Sequence, residues 1–260
     1  MSNCVKSYDV YGYKVSPMFL KEQLALLDVY VQAREQCVLA NLNLHGLYML
    51  HREPEMSQLH ENAATYVAVD GMPIVLLCRL AGVSVTRKHR VTYVDLIWPL
   101  LNHAAEKGWR VYYVGSSQEV LVKAECKIRD RLPHLAFRAH HGYFDFSSEA
   151  VVADIVSFNP NVLVVGMGMP LQERWILRNM AAIAPACVLP GGAIMEYVAG
   201  VVKIPPRWMG NVGLEWLFRL VENPRRFWHR YMIEPWIVAW LLAARMSRKH
   251  AGRVGYRSCR

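Results

Sequence analysis

Short apolar strands alternate with helical stretches along most of this chain, and this alternation limits the possible folds more than any other feature. Residues 109–133 predict an apolar strand, a turn of small residues and a helix, and residues 159–185 repeat that order. Residues 185–200 add another strand and a glycine-rich turn. Apolar strands that alternate with helices are typical of a parallel sheet covered on both faces. We therefore predict an α/β, Rossmann-like fold with a mostly parallel sheet and helices on both faces.

The amino-terminal half fits the same architecture. Residues 17–36 have the periodicity of a helix, and residues 37–44 predict a strand that runs into a polar turn. Residues 65–82 predict a short strand, an Asp-Gly turn and an apolar helix. Residues 92–108 predict a further helix, for which Gly108 is a suitable C-cap.

The turns that follow the predicted strands are the first place to look for a ligand site. Ligands of such sheets bind beyond the carboxyl ends of the strands. Glycines in these turns allow the backbone to approach a phosphate group closely. The candidates are Gly115, Gly166 and Gly168.

The net positive charge comes from the carboxyl-terminal part of the chain. Residues 1–199 contain 18 Lys and Arg and 18 Asp and Glu, whereas residues 200–260 contain 12 Lys and Arg and 3 acidic residues. The formal net charge of +9 therefore belongs to the second part. We predict an α/β core at 1–199 and a basic, aromatic-rich helical appendage at 200–260. Such an appendage is suited to bind polyanions, either nucleic acid or anionic lipid.

One stretch of the appendage, GLEWLFRLVENPRRFWHRY at 213–231, mixes aromatic residues with arginines. Asn223 and Pro224 are typical of an N-cap and a first helical residue, so the stretch predicts two helices, each with an apolar stripe. Arg226 and Arg230 lie four residues apart, on one face. Aromatic residues beside cations suit a membrane interface, although a docked amphipathic helix has the same pattern. No recognised nucleic-acid-binding motif is present, and we expect no nucleic-acid partner.

Cysteines and apolar segments narrow the class of protein further. The six cysteines show no CxxC and no metal-ligand spacing with His, which indicates reduced and mostly buried thiols in a cytoplasmic protein. His140 and His141 are not spaced like a metal site and predict a solvated loop. The amino terminus lacks the apolar run of a signal peptide. No apolar segment reaches the roughly 20 residues needed to span a bilayer. We expect no metal and no membrane-spanning helix.

Several motifs leave alternatives open on the residues alone. Asp70 with the following glycine predicts either a tight turn or a carboxylate placed as a general base. Residues 166–168 follow a strong strand, but Leu171 stands where a dinucleotide site has its third glycine. A nucleotide-diphosphate ligand is therefore favoured over a nicotinamide, and a nucleotide-dependent oxidoreductase is a weaker alternative. Gln172 is a candidate to hydrogen-bond a sugar or uracil, and Glu173 suits a helix N-terminus.

Taken together, five segments resemble the WecG/TagA/CpsF type, glycosyltransferase family 26. They are VAVDGMPIV, HRVTYVDL, VYYVGSSQEV, VVGMGMPLQERWI and VAGVVKIPPRWMGNVGLEWLFRLVENPRRFWHRY, in family order over roughly residues 37–235. Among family members, the chain looks most like the glucosyltransferases of xanthan-type exopolysaccharide assembly. The resemblance implies an inverting bacterial enzyme without a cofactor, which moves a hexose from a UDP-sugar to a sugar on a polyprenyl (undecaprenyl) diphosphate carrier. UDP-glucose is the first expected donor. UDP-N-acetylmannosamine, in surface-polysaccharide or teichoic acid assembly, is the alternative.

The resemblance also implies roles for individual residues. It makes Asp70 the base that deprotonates the acceptor hydroxyl. Gln172 and Arg90 match a family active-site glutamine and arginine. Asn43 keeps the asparagine of the usual Thr-x-Asn, whereas Asn41 departs from its threonine. The carboxyl-terminal arginine set of the family is matched by Arg219, Arg226 and Arg230.

Departures from the family pattern bear on the donor sugar. Glu196 stands near a usual aspartate, and residues 204–206 read Ile-Pro-Pro in place of Arg-Ala-Pro. These changes favour a subfamily that transfers a neutral hexose. The expected partners are the UDP-sugar, the lipid-linked acceptor and an anionic membrane surface bound by the appendage, with a homo-oligomer left open. The expected location is cytoplasmic, peripheral at the inner face of the bacterial plasma membrane. A basic binding module without catalysis is the alternative outside the enzymes.

Overall fold

The structure is a computed structural model that describes residues 5–184 and 186–254 of the 260-residue chain. The strands are β1 (Tyr8–Val10), β2 (Tyr13–Val15), β3 (Cys37–Leu42), β4 (Tyr66–Val69), β5 (Arg110–Gly115), β6 (Ala136–His140), β7 (Val162–Gly166) and β8 (Cys187–Pro190). The first helices are α1 (Leu20–Ala33), α2 (Leu44–Leu50), α3 (Pro54–Ser57), α4 (Met72–Leu80), α5 (Tyr93–Lys107), α6 (Gln118–Arg131) and α7 (Glu149–Phe158). They are followed by α8 (Leu171–Asn179), α9 (Ile194–Ala199), α10 (Arg207–Val212), α11 (Glu215–Glu222), α12 (Pro224–Trp228) and α13 (Glu234–Val254). Three short helical turns lie at Gln58–Ala63, Arg87–His89 and His229–Ile233.

Six of the described strands form one parallel sheet in the order β4-β3-β8-β7-β5-β6. Side chains of its central strands are buried on both faces: Val162 and Val164 of β7 pack on one side, and Leu163 and Val165 on the other. This two-sided burial is the reason why the strand reads as a continuous apolar run. The predicted parallel α/β sheet is confirmed.

Helices cover both faces of the sheet, as predicted. Buried residues of α1, α5, α6 and α9 pack on one face, and those of α2, α4, α7, α8 and α13 pack on the other. Helix α5 shows how local sequence sets the helix bounds. The Thr92 side chain accepts the N–H of Asp95, and Gly108 ends the helix with a φ of 66°. Glycine adopts this left-handed conformation without a steric penalty.

The small antiparallel hairpin of β1 and β2 was not predicted. Tyr11 and Gly12 form its turn with φ angles of 53° and 88°. The N–H of Ser16 donates to the carbonyl of Val67 at 2.7 Å, so the hairpin is attached to β4 at the edge of the main sheet.

Helices α10 to α13 follow the last strand of the sheet. The predicted helix break is confirmed, because the side chain of Asn223 accepts the N–H of Arg226 at the start of α12. Helix α13 packs against α2, and its Val238 and Leu242 are buried in the core on that face of the sheet. The guanidinium carbon of Arg245 lies 4.4 Å from the centre of the Tyr13 ring.

Candidate active site

A carboxylate and an amide meet where β4 and β3 end. Asp70 follows β4, and its backbone N–H donates to the carbonyl of Leu42, 2.9 Å away. Asn43 follows β3 and caps α2, because its Oδ1 accepts the N–H of Gly46 at 2.9 Å. Its Nδ2 donates to Asp70 Oδ2 at 3.2 Å. The same amide therefore starts a helix and holds the carboxylate at the edge of the sheet.

The charge of Asp70 is set by opposing effects. Loss of solvation on burial is the largest of them and raises the pKa of Asp70 above its ordinary value. One hydrogen bond and three cations oppose the shift, and these come from Asn43, Arg219, Arg90 and Arg230. A carboxylate with a raised pKa is a stronger base, while nearby cations favour its ionised form. Asp70 is therefore suited to accept a proton from a bound hydroxyl.

Two of the predicted arginines reach Asp70 from the segment after the last strand. Arg219 lies on α11, with its guanidinium carbon 6.0 Å from the centre of the Tyr197 ring. Its buried Nε has no hydrogen-bond partner among the described residues. Arg230 lies in the π-helical turn after α12, with its guanidinium carbon 5.9 Å from the centre of the Tyr231 ring. An anionic oxygen bound at this point would supply the acceptor that the Arg219 Nε lacks.

The other two arginines are placed differently. Both terminal nitrogens of Arg90 donate to the Glu215 carboxylate, at 3.1 and 3.4 Å, so this ion pair connects the segment before α5 to α11. Arg226 is exposed on α12, whereas Arg230 is partly buried, so the two do not share one environment. Burial raises the pKa of Glu196, and the charge of Arg226 is among the effects that oppose it. The charge of Arg226 therefore lowers the pKa of Glu196 and is not among the effects that set the pKa of Asp70.

The predicted glycines have two different roles. A side chain at Gly115 would collide with the carbonyl of Gly166, and one at Gly166 would collide with the Tyr113 hydroxyl. These two glycines let the ends of β5 and β7 lie in direct contact. Gly168 has a φ of 81°, and apart from the glycine itself and its two chain neighbours no described residue has an atom within 4 Å of the position that a Cβ would take. Of the three, Gly168 has the open surroundings that a close ligand requires.

Gln172 is buried at the start of α8 and connects two glycine turns. Its Oε1 accepts the backbone N–H of Gly168 at 3.3 Å and that of Gly192 at 3.0 Å. Its Nε2 donates to Glu173 Oε1 at 2.8 Å. Where the sequence suggested a bond to sugar or uracil, the structure shows an amide oxygen engaged by the turns after β7 and β8.

Glu173 is a candidate that the sequence analysis placed only at a helix N-terminus. Its side chain is buried, and burial raises the pKa of Glu173 to about 7. Its Oε2 has no hydrogen-bond partner in the part of the chain that the structure describes. Tyr93, whose hydroxyl donates to the carbonyl of Pro190, has a pKa raised by burial and by the charges of Asp70 and Glu173. The charges of Asp70 and Glu173 therefore both raise the pKa of the same tyrosine.

Asn41 and His140 are both strand residues, so the loop predicted at His140 and His141 begins only after His140, and both histidines are partly buried. Asn41 pairs with Ala68 inside the sheet, and His60 Nε2 lies 3.3 Å from its carbonyl oxygen. His140 ends β6, and its Nδ1 lies 2.8 Å from the carbonyl of His141. Across residues 5–184 and 186–254, no group of three or more His, Cys, Asp or Glu could hold a metal ion.

The helices after the sheet expose several large apolar side chains. Five tryptophans are exposed by 38% or more: Trp208, Trp216, Trp228, Trp236 and Trp240. Leu217 and Val221 of the predicted apolar stripe on α11 are exposed as well. None of the described helices has the length and apolar character required to cross a bilayer.

Comparison with known proteins assigns the family. The sequence profile described as "Glycosyl transferase WecG/TagA/CpsF family" matches residues 8–252. The chain belongs to this family. The match extends over the parallel sheet and over α10 to α12, so one family pattern includes both Asp70 and the arginines of the later helices. The expected glycosyltransferase activity is thereby confirmed.

Relatives of this WecG/TagA/CpsF glycosyltransferase include proteins of Staphylococcus aureus strains MW2, NCTC 8325 / PS 47 and MRSA252. Each is named N-acetylglucosaminyldiphosphoundecaprenol N-acetyl-beta-D-mannosaminyltransferase. Each is 28% identical over 196 residues, which are 72% of this chain and 76% of the relative.

Proposed function

We propose that this glycosyltransferase transfers N-acetylmannosamine from UDP-N-acetylmannosamine to N-acetylglucosamine on undecaprenyl diphosphate, in surface-polysaccharide assembly. The names of the Staphylococcus aureus relatives contain this acceptor and this transferred sugar, so they favour the alternative donor of the sequence analysis over UDP-glucose. UDP-glucose is kept as the competing donor, because Glu196 and residues 204–206 depart from the usual family pattern. No comparison supports a role in exopolysaccharide assembly specifically.

The observation that carries the proposal is the Asp70 carboxylate, held by Asn43 and faced by arginines. In the proposed step, Asp70 takes the proton of the acceptor hydroxyl. The hydroxyl oxygen then forms a bond to the anomeric carbon of the donor sugar. The bond from that carbon to the diphosphate breaks, and UDP leaves with the electron pair. Attack from the face opposite to UDP inverts the anomeric configuration.

The leaving UDP gains negative charge, which the protein must stabilise. Arg219 and Arg230 lie near Asp70 and present guanidinium groups that hydrogen-bond phosphate oxygens well. The turn at Gly168 supplies open backbone near the ends of β7 and β8. In this proposal, Arg90 holds α11 in place through Glu215, and the lipid diphosphate binds along the same arginine-rich edge.

A direct competition between donors tests this function. Purified protein is incubated with undecaprenyl-diphosphate-N-acetylglucosamine and either UDP-N-acetylmannosamine or UDP-glucose, and both UDP release and the lipid product are measured. We expect acceptor-dependent product from UDP-N-acetylmannosamine, with a kcat/KM at least about tenfold above that for UDP-glucose. A preference for UDP-glucose would reject the donor proposed here and restore the neutral-hexose subfamily.

We also propose that the predicted appendage, residues 200–260, binds an anionic membrane surface. Helix α13 exposes Trp236 and Trp240 by 77% and 70%, four residues apart and therefore on one face. Arg225 and Arg226 are exposed on the preceding helix. Tryptophan rings partition into the lipid headgroup region, and arginines there meet anionic lipid. Such binding would place the Asp70 site next to its lipid-linked acceptor.

Cosedimentation with vesicles tests the appendage. We expect Trp236→Ser combined with Trp240→Ser to weaken binding to vesicles containing anionic lipid by about tenfold or more. Tyr143→Ser is the matched control, because Tyr143 is an equally exposed aromatic residue in the loop after β6. Equal binding by the tryptophan variant and the wild type would refute this surface. Binding that is insensitive to salt would contradict the role of the arginines.

A further inference from the structure

We propose that Glu173 is a positioning residue that acts through Gln172, and that the two side chains together fix the glycine turns after β7 and β8. The inference rests on the proposed function only where it identifies these turns as the place where the donor diphosphate binds. The connection between the two turns consists of the hydrogen bonds that the Gln172 side chain makes with Gly168, Gly192 and Glu173.

The Gln172 amide can satisfy all of these hydrogen bonds in only one of its two orientations. Two backbone N–H donors, those of Gly168 and Gly192, face its oxygen. A carboxylate oxygen of Glu173 faces its nitrogen. A half-turn of the amide would set its NH₂ group against two donors and its oxygen against the carboxylate. Glu173 therefore selects the orientation in which Gln172 accepts from both turns.

The turns connected in this way belong to neighbouring strands of the sheet. Gly168 follows β7, and Gly192 follows β8. The backbone also brings them together, because the N–H of Gly191 donates to the carbonyl of Val165 at 2.6 Å. A ligand placed over the open turn at Gly168 would meet a backbone whose position depends on the Gln172 oxygen. Without Glu173 only these two N–H groups hold the amide, so its nitrogen loses its acceptor and the separation of the turns is less firmly fixed.

An exchange of the two side chains separates this role from direct substrate contact. Gln172→Glu alone places a second carboxylate beside Glu173, and we expect kcat/KM to fall by at least about tenfold. In the double variant Gln172→Glu with Glu173→Gln, the introduced carboxylate accepts from both turns and from the introduced amide. We therefore expect the double variant to recover to within about threefold of wild type. A double variant as impaired as the single variant would overturn the proposal.

Hydrogen exchange of the Gly168 and Gly192 amides, measured by NMR, tests the connection between the two turns in the absence of substrate. We expect Gln172→Ala to speed exchange at both glycines. Glu173→Leu should also speed exchange at both glycines, although in the described part of the chain no hydrogen bond joins Glu173 to either glycine. Combining it with Gln172→Ala should add nothing further. Unchanged exchange in Glu173→Leu would refute the positioning role. If exchange changes as expected but the wild type transfers neither sugar, the proposed function is refuted while the positioning role of Glu173 is supported.

Discussion

Replacing Glu173 with glutamine should make the protein more stable at alkaline pH. Burial raises the pKa of Glu173 from an ordinary 4.5 to about 7. Folding therefore strengthens proton binding, and the stability that this group contributes is present below pH 4.5 and lost as the pH rises through 7. Each unit of pKa shift corresponds to about 1.4 kcal/mol, so the ionised carboxylate costs the folded state about 3 kcal/mol above pH 7. Glutamine keeps an acceptor for Gln172 and carries no charge.

Urea unfolding of wild type and Glu173→Gln at pH 5, 7 and 9 measures this cost. We expect the stability of the variant relative to wild type to increase by about 2 to 3 kcal/mol between pH 5 and pH 9. Asp70 and Glu196 also have raised pKa values, but they titrate in both proteins and cancel in the difference. Equal m-values would show that the same transition is compared. A stability difference that does not change with pH would refute the reasoning.

Two further substitutions test the surroundings of the site. Asn43→Asp keeps a good N-cap for α2 but replaces the hydrogen-bond donor to Asp70 with a like charge, which raises the pKa of Asp70. The acid limb of the kcat/KM profile should then move about one unit to higher pH, and an unshifted limb would contradict the role of this contact. Glu215→Gln weakens the ion pair with Arg90, so proteolytic cleavage within α11 and α12 should become about fivefold faster. Glu222→Gln, at an exposed ion pair on the same helix, should leave cleavage unchanged. Equal acceleration in both variants would contradict a specific role of the ion pair between Arg90 and Glu215 in holding α11.

The sheet and most helices could be predicted because their patterns are local. Strand β7 is buried on both faces, so its apolar run is unbroken. Helix α5 carries its own start and stop signals at Thr92 and Gly108. The β1–β2 hairpin has no such signal, since each strand has three residues and its anchor, the contact of Ser16 with Val67, is distant in sequence.

The site was predictable only in part, for a related reason. Asp70 and Asn43 directly follow strands, so their meeting at the sheet edge follows from the parallel topology. The approach of Arg219 to Asp70 joins residues far apart in the chain and depends on how α11 packs. Glu173 was missed because a glutamate in the first turn of a helix reads the same whether it is exposed or, as here, only 1% exposed.

The most direct test of the account is acceptor-dependent UDP release by Asp70→Asn compared with wild type. Asp130→Asn, which changes an exposed carboxylate on α6, is the control. If Asp70 is the base, kcat should fall by about a hundredfold or more while the KM for the UDP-sugar changes little. An Asp70→Asn enzyme that keeps most of its kcat would contradict the assignment of Asp70 as the base.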